Sequence, residues 1–118
     1  MALTVLAIFS SKLKAFYQGR LESENVLEYF ESNPVQKPVA WFHCASLGEF
    51  EQGRPVIEAF RAQYPHYFIL LTFFSPSGYE VRKSYNQVDK VMYLPVDTQK
   101  NAARFLKIFR PKVVIFVK

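Results

Sequence analysis

Val39-Ala40-Trp41-Phe42 is a wholly apolar run, and the residues that follow it, His43-Cys44-Ala45-Ser46-Leu47-Gly48-Glu49, carry the chain through a small-residue turn to a carboxylate. A strand buried on both faces of a parallel sheet has this continuous hydrophobic character, unlike the alternation of a strand that is wet on one side. In such sheets ligands collect in the crevice outside the carboxyl ends of the strands. Glu49, just past that end, is therefore the first candidate for chemistry.

Outward from this strand, apolar runs alternate with helical patterns. A polar helix is predicted around Leu21 to Glu31, before a loop that holds Pro34 and Pro38. After the strand over Val39 to Cys44, the residues Phe50, Val56, Ile57, Phe60 and Tyr64 fall close to a helical stripe that ends before Pro65. Tyr67 to Phe74 is rich in β-formers and is the second strand. Ser75-Pro76-Ser77-Gly78 breaks it and opens a short helix with Tyr79, Val81, Arg82 and Tyr85, and Val88 to Leu94 gives a third strand. Pro95-Val96-Asp97-Thr98 caps a helix through Phe109, with Ala102, Phe105, Leu106 and Phe109 on its inward face. Lys112 to Val117 is the fourth strand.

Strands separated by helices imply βαβ units with right-handed crossovers, hence an α/β fold, a Rossmann-like parallel sheet flanked by helices. Residues 1–32 are expected to form an amino-terminal helical segment that is a candidate membrane-proximal part, and residues 33–118 the core. A chain that stops on a strand as apolar as Val113 to Val117 is expected to be truncated at 118.

The 118 residues, 50% of them hydrophobic, suffice for one domain with a sizeable core. A formal charge of +5 favours anionic partners without choosing among phosphates, nucleic acid and an acidic membrane. Cys44 is the single cysteine, which excludes an internal disulfide framework, and one Cys with two distant His builds no zinc site. It is expected to be a small buried hydrophobe, and His43, beside Trp41, a structural residue. Ala2 to Phe9 is apolar except for Thr4 but falls far short of the roughly 20 residues that span a bilayer. No basic segment precedes it, as one would in a signal peptide. With Lys12, Lys14 and Arg20 behind it, this run has the makeup of a segment that lies on an anionic membrane face. The plainer interpretation is an amphipathic helix packed on the domain.

The loops after the first three strands lie on one edge of a parallel sheet. They carry Ser46 to Glu49, Ser75 to Gly78 and Pro95 to Asp97, so two carboxylates, several hydroxyls and two glycines converge on a common cleft. Helix amino termini also point into this edge and favour anions. Ser46-x-x-Glu49 equally has the spacing of a capping box, in which the Ser and Glu side chains bond each other's backbone N–H groups. Pro55 is tolerated in a first helical turn but would kink a helix already begun at Leu47, which would leave Glu49 in a separate turn facing the cleft. No G-x-G-x-x-G and no G-x-x-x-x-G-K-[ST] occurs, so the common dinucleotide and nucleoside triphosphate loops are missing.

The order of these segments resembles that of one family. Trp41, Phe42, His43, Ala45, Ser46, Gly48 and Glu49 match a W-[IF]-H-x-[AS]-S-x-G-E segment, and Pro55, Val56 and Ile57 the helix that follows. Thr72, Ser75, Pro76, Ser77 and Gly78 stand in a T-x-x-T-P-T-G loop, with serines at two of its threonine positions. Leu94, Pro95 and Asp97, then Arg104, Phe105 and Leu106, follow, and Lys14, Ala15, Gly19 and Arg20 match a basic entry motif. The family is that of the 3-deoxy-D-manno-octulosonic acid (Kdo) transferases of lipopolysaccharide assembly.

The resemblance implies the amino-terminal half of a GT-B type, inverting, metal-independent glycosyltransferase that moves Kdo from CMP-Kdo to a lipid A precursor, a phosphorylated and acylated glucosamine disaccharide. Glu49 takes the place of the family's catalytic Glu as general base. Ser46 and Gly48 would shape the turn and let the acceptor approach the backbone, and Ser75, Ser77 and Gly78 would offer donors to sugar or phosphate. Asp97 is a group that could orient a neighbour. Lys12, Lys14 and Arg20 would contact lipid phosphate at the cytoplasmic face of the bacterial inner membrane. No cofactor and no nucleic acid are expected; the donor substrate is CMP-Kdo, held by a donor domain that the chain lacks, so the fragment alone is predicted to be inactive. The competing interpretation is a non-enzymatic Rossmann-like module that binds nucleotides or nucleic acid through Lys107, Arg110 and Lys112, although no exposed aromatics interleave these cations. A flavodoxin-like protein is a third, but nothing marks a flavin site.

Overall fold

The computed structural model of the chain describes residues 18, 19, 21–95 and 99–118, with Ser77 described by its backbone alone. Its strands are β1 (Val39–Cys44), β2 (Phe68–Phe73), β3 (Lys90–Tyr93) and β4 (Val113–Val117). They form a single all-parallel sheet in the order β3-β2-β1-β4. Helix α1 covers residues 21–32, and α2 (Leu47–Gln63), α3 (Pro76–Arg82) and α4 (Gln99–Phe109) connect successive strands. The Rossmann-like parallel sheet expected from the alternation of apolar runs and helical patterns is the observed architecture.

Because side chains alternate along a strand, β1 feeds two cores. Ala40, Phe42 and Cys44 join Ile69, Leu71 and Phe73 of β2 under α2, which contributes Phe50 and Ile57. Val39 and Trp41 join Leu70, Met92 and, from α1 and α4, Leu27, Phe105 and Phe109 on the opposite face. Each of these large side chains stabilises the fold by about 1.5–3 kcal/mol on burial. Arg104 of α4 clasps α1 with its two terminal nitrogens, each 2.6 Å from a carboxylate oxygen, on Glu24 and on Glu31. On the other face of the sheet, at the amino ends of β2 and β3, Arg61 donates to the carbonyls of Tyr67 and Gln87 and pairs with Asp89, whose carboxylate also accepts from Ile69 N–H at 2.7 Å. Arg104, which belongs to one of the matched motifs, is thus a structural fork.

Two helix faces differ from the sequence pattern. On α4 the buried stripe is Phe105 and Phe109 with Ile108 packed beside them, whereas Ala102 and Leu106 face outward. On α2 the buried positions are Phe50, Gly53 and Ile57, and Val56 is exposed. In each case an apolar residue, Leu106 beside Phe105 or Val56 beside Ile57, stands one step off the buried stripe. A Cβ on Gly53 would lie 2.7 Å from Val117 Cγ2, so this glycine lets α2 approach β4 closely.

Strand order positions the site. From β1 the chain moves through α2 to β2 and through α3 to β3 on one side, then crosses back through α4 to place β4 on the other side of β1. The reversal lies between β1 and β4, and the crevice outside the carboxyl ends at such a switch point is where ligands bind in doubly wound sheets. Among the described residues no helix is long and apolar enough to cross a membrane.

Candidate functional site

The helix that follows β1 begins in the turn that carries the carboxylate. Ser46 is the N-cap of α2, in extended backbone conformation, and its Oγ accepts from Glu49 N–H at 3.4 Å. Glu49 reaches back, and its Oε2 accepts from Ala45 N–H at 2.8 Å. The pair forms a reciprocal cap displaced by one residue from the usual capping box, in which the Glu would bond the N-cap residue itself.

The expectation that Pro55 starts the helix and leaves Glu49 in a separate turn is overturned, because α2 runs without a break from Leu47 to Gln63 with Pro55 inside it. Glu51 and Pro55 are both exposed, so water can reach the Glu51 carbonyl that loses its helical donor. The cap leaves chemical capacity in the carboxylate. An ionised carboxylate has about four acceptor sites; one N–H holds Oε2, and no described residue bonds Oε1. Ser46→Ala is expected to cost about 0.5–2 kcal/mol, the ordinary value of an N-cap, as measured by urea denaturation.

The second loop lies against the first. Ser75 caps α3, its Oγ accepting from Gly78 N–H at 3.3 Å, and Ser75 N–H donates to the Ala45 carbonyl at 2.9 Å. Ser77 is in the first turn of α3. A Cβ on Gly78 would stand 2.6 Å from the Phe73 ring and 3.3 Å from Leu47 N. Gly78 is therefore a buried spacer that lets the starts of α2 and α3 touch. Gly48, by contrast, is exposed, with only Ser46 Oγ, 3.9 Å away, near its Cβ position, and it is the glycine at which a ligand can approach the backbone. Phe73 is fully buried and Leu47 N is backbone, so neither can yield to a new methyl group. Gly78→Ala is expected to destabilise the fold by about 1–3 kcal/mol through overpacking. That exceeds the gain of at most about 1 kcal/mol from helix propensity; the urea midpoint is the check.

Beneath these turns lies a polar chain that the spacing of residues did not reveal. Trp41 Nε1–H donates to Thr72 Oγ1 at 2.8 Å, and His43 Nδ1 lies 2.8 Å from the same oxygen. Thr72 is fully buried and His43 half-buried. Burial lowers the His43 pKa from the usual histidine value, while the nearby Glu49 carboxylate pulls the other way. The Cys44 thiol is pushed up to about 12 by burial and secondarily by Glu49, which makes it the inert small hydrophobe expected. Two signals for the polar chain were present in the sequence. Trp41 and His43 are two residues apart on one strand, hence on one face, and Thr72 is the lone polar residue of β2.

The third loop meets the second through Leu94 N–H, which donates to the Phe73 carbonyl at 2.9 Å. Asp97, Lys12, Lys14 and Arg20 lie outside the described residues. Gly19 is buried against Tyr93 at the carboxyl end of β3, with a Cβ position 2.4 Å from the ring, and Tyr93 stacks on Tyr79 at 4.3 Å between centroids. Gly19, the one described residue of the basic entry motif, thus lies at the same sheet edge. Lys107, Arg110 and Lys112 line a groove with Lys37 at the opposite edge, beside the amino ends of β1 and β4. Among the described residues no cluster of His, Cys, Asp and Glu could hold a metal ion.

Residues 19–118 match the family described as 3-Deoxy-D-manno-octulosonic-acid transferase (kdotransferase). The chain belongs to the Kdo transferase family. Among its relatives are the 3-deoxy-D-manno-octulosonic acid transferase of Aquifex aeolicus, 32% identical over 83 residues, which are 70% of this chain and 23% of that protein. The Haemophilus influenzae protein of the same name is 32% identical over 79 residues, 66% of this chain and 18% of the relative. A bifunctional glycosyltransferase/methyltransferase of Fusobacterium nucleatum is 30% identical over 122 residues, covering 100% of this chain and 18% of its own. The chain spans about a quarter or less of the length of these three relatives.

Proposed function

We propose that this chain is the acceptor-binding, amino-terminal half of an inverting, metal-independent GT-B type transferase that moves Kdo from CMP-Kdo to a lipid A precursor in lipopolysaccharide synthesis. The observation that carries this is Glu49: a carboxylate fixed by one backbone N–H at the β1 end of the switch-point crevice, with its second oxygen unbonded by any described residue. A sugar hydroxyl is a weak nucleophile at neutral pH. As its oxygen bonds the anomeric carbon of Kdo and the bond from that carbon to the CMP phosphate oxygen breaks, a positioned carboxylate takes the hydroxyl proton. In this scheme Oε1 of Glu49 receives the proton while Oε2 stays on Ala45 N–H.

Gly48 gives the acceptor access to the backbone, Ser46 and Ser75 stand at the approach, and Ser77 is a further hydroxyl for the acceptor. Gly78 serves by holding the two turns together. The acyl chains of the acceptor put the reaction at the cytoplasmic face of the inner membrane, with Lys12, Lys14 and Arg20 as contacts for lipid phosphate. The net charge of +5 agrees with an anionic lipid partner. Transfer itself belongs to the complete protein.

Sedimentation with vesicles tests this reading. The chain is expected to pellet with vesicles that contain the bisphosphorylated lipid A precursor and to leave neutral vesicles and duplex DNA unbound at physiological salt. Salt-resistant binding to DNA with none to the precursor would favour the nucleic-acid module instead.

A further inference from the structure

We infer that Trp41, Thr72 and His43 form a tautomer lock that presents His43 Nε2–H as a hydrogen-bond donor to an oxygen of the acceptor sugar or its phosphate. The inference rests on the acceptor-binding role proposed above and adds a contact residue to it.

The lock follows from counting protons. Thr72 Oγ1 has two nitrogen partners, each at 2.8 Å. The indole nitrogen of Trp41 can only donate, so it takes one lone pair of the oxygen. The hydroxyl has one proton of its own, and Thr72 has no exposure to water. If His43 carried its proton on Nδ1, it too would donate to Oγ1, and the Thr72 proton would be buried without an acceptor among the described residues. The arrangement that satisfies every group runs from Trp41 N–H to Thr72 oxygen and from Thr72 O–H to an unprotonated His43 Nδ1. The imidazole proton then sits on Nε2. An imidazolium, which donates from both nitrogens, meets the same conflict; burial, which lowers the His43 pKa, outweighs the upward pull of the Glu49 carboxylate and of the Thr72 backbone.

The place of the ring gives the lock its use. His43 is the penultimate residue of β1 and lies in register with Phe116 of β4 across the topological switch, with ring centroids 5.5 Å apart. It is half-buried, and no described residue bonds Nε2. A donor fixed there, near the Glu49 carboxylate that acts on it electrostatically, suits an acceptor hydroxyl or phosphate oxygen at the crevice mouth. Trp41 and Thr72 are positioning residues, and His43 is the contact.

Two measurements test this. Long-range nitrogen-15 NMR correlation on this chain distinguishes the tautomers, and only His43 and His66 need assignment. At pH 7, His43 is expected to show a single Nε2–H tautomer, and Thr72→Val, which keeps the shape and removes the hydroxyl, is expected to release it to a mixture. An Nδ1–H form or imidazolium in the unaltered chain, or no change in Thr72→Val, overturns the lock. In the complete transferase, His43→Phe is expected to raise KM for the lipid A precursor about tenfold with little change in kcat, the size of one lost hydrogen bond. His43→Gln, whose amide N–H can take the place of Nε2–H, is expected to recover most of it. Wild-type KM in His43→Phe, with wild-type transfer intact, overturns the contact alone; absence of transfer by the wild type overturns the acceptor-binding role as well.

Discussion

Replacing Glu49 with Gln in the complete transferase is expected to lower the rate of Kdo transfer by about 10²- to 10⁴-fold, the usual worth of a general base. Stability is expected to change little. The Gln side-chain oxygen can still accept from Ala45 N–H, so the cap closed at 2.8 Å survives. What is lost on that side is the attraction of a carboxylate for the helix start, about 0.3–1 kcal/mol. The split between rate and stability separates two roles that share one side chain. A cap that does no chemistry would show a small shift in denaturation midpoint and an unchanged rate, and that outcome would reduce Glu49 to the start of α2. Comparing single-turnover rates with urea curves for the same pair of proteins gives the answer.

The second large effect is on folding. Phe50 follows Glu49 in the chain and is fully buried, with its ring 5.7 Å from Phe73 and 5.1 Å from Tyr85, and with the Arg82 guanidinium 5.4 Å from its centroid. Phe50→Ala is expected to cost about 3–5 kcal/mol, the lost burial of a core aromatic plus the cavity it leaves. Set against a total of about 5–15 kcal/mol for a domain of ordinary stability, that is a large share. Val56→Ala, on the exposed side of the same helix, is the matched control and is expected to stay within about 0.5 kcal/mol of the parent. Equal urea midpoints for the two variants would mean that the first turns of α2 are not anchored as described.

How much of this was legible in the residues depends on the range of the interaction involved. β1 was recognised to the residue because its apolar run is bounded on both sides, by Pro38 and by Ala45-Ser46. That the strands are parallel followed from the helical patterns between them. The cap at Ser46 and Glu49 was visible as a spacing, since both partners are local. The continuity of α2 was not, because Pro55 is judged by rule as a helix breaker while its actual cost depends on whether the carbonyl it frees faces water. Leu106 and Ala102 were placed inward because periodicity alone cannot locate the edge of a stripe; the sheet chose Ile108. The bond from Trp41 to Thr72 joins residues 31 positions apart and depends on the register that sets His43 opposite Thr72, which only the folded sheet specifies.

The contact between the two turns has a practical consequence for redesign. Ser75 N–H meets the Ala45 carbonyl through main-chain atoms on both sides, so this tie does not consult the side chains around it. Residue 48, which is exposed and meets only Ser46 Oγ, can therefore be varied on a fixed frame, whereas changes at 46 would open the cap of α2 and changes at 78 would shift the frame itself.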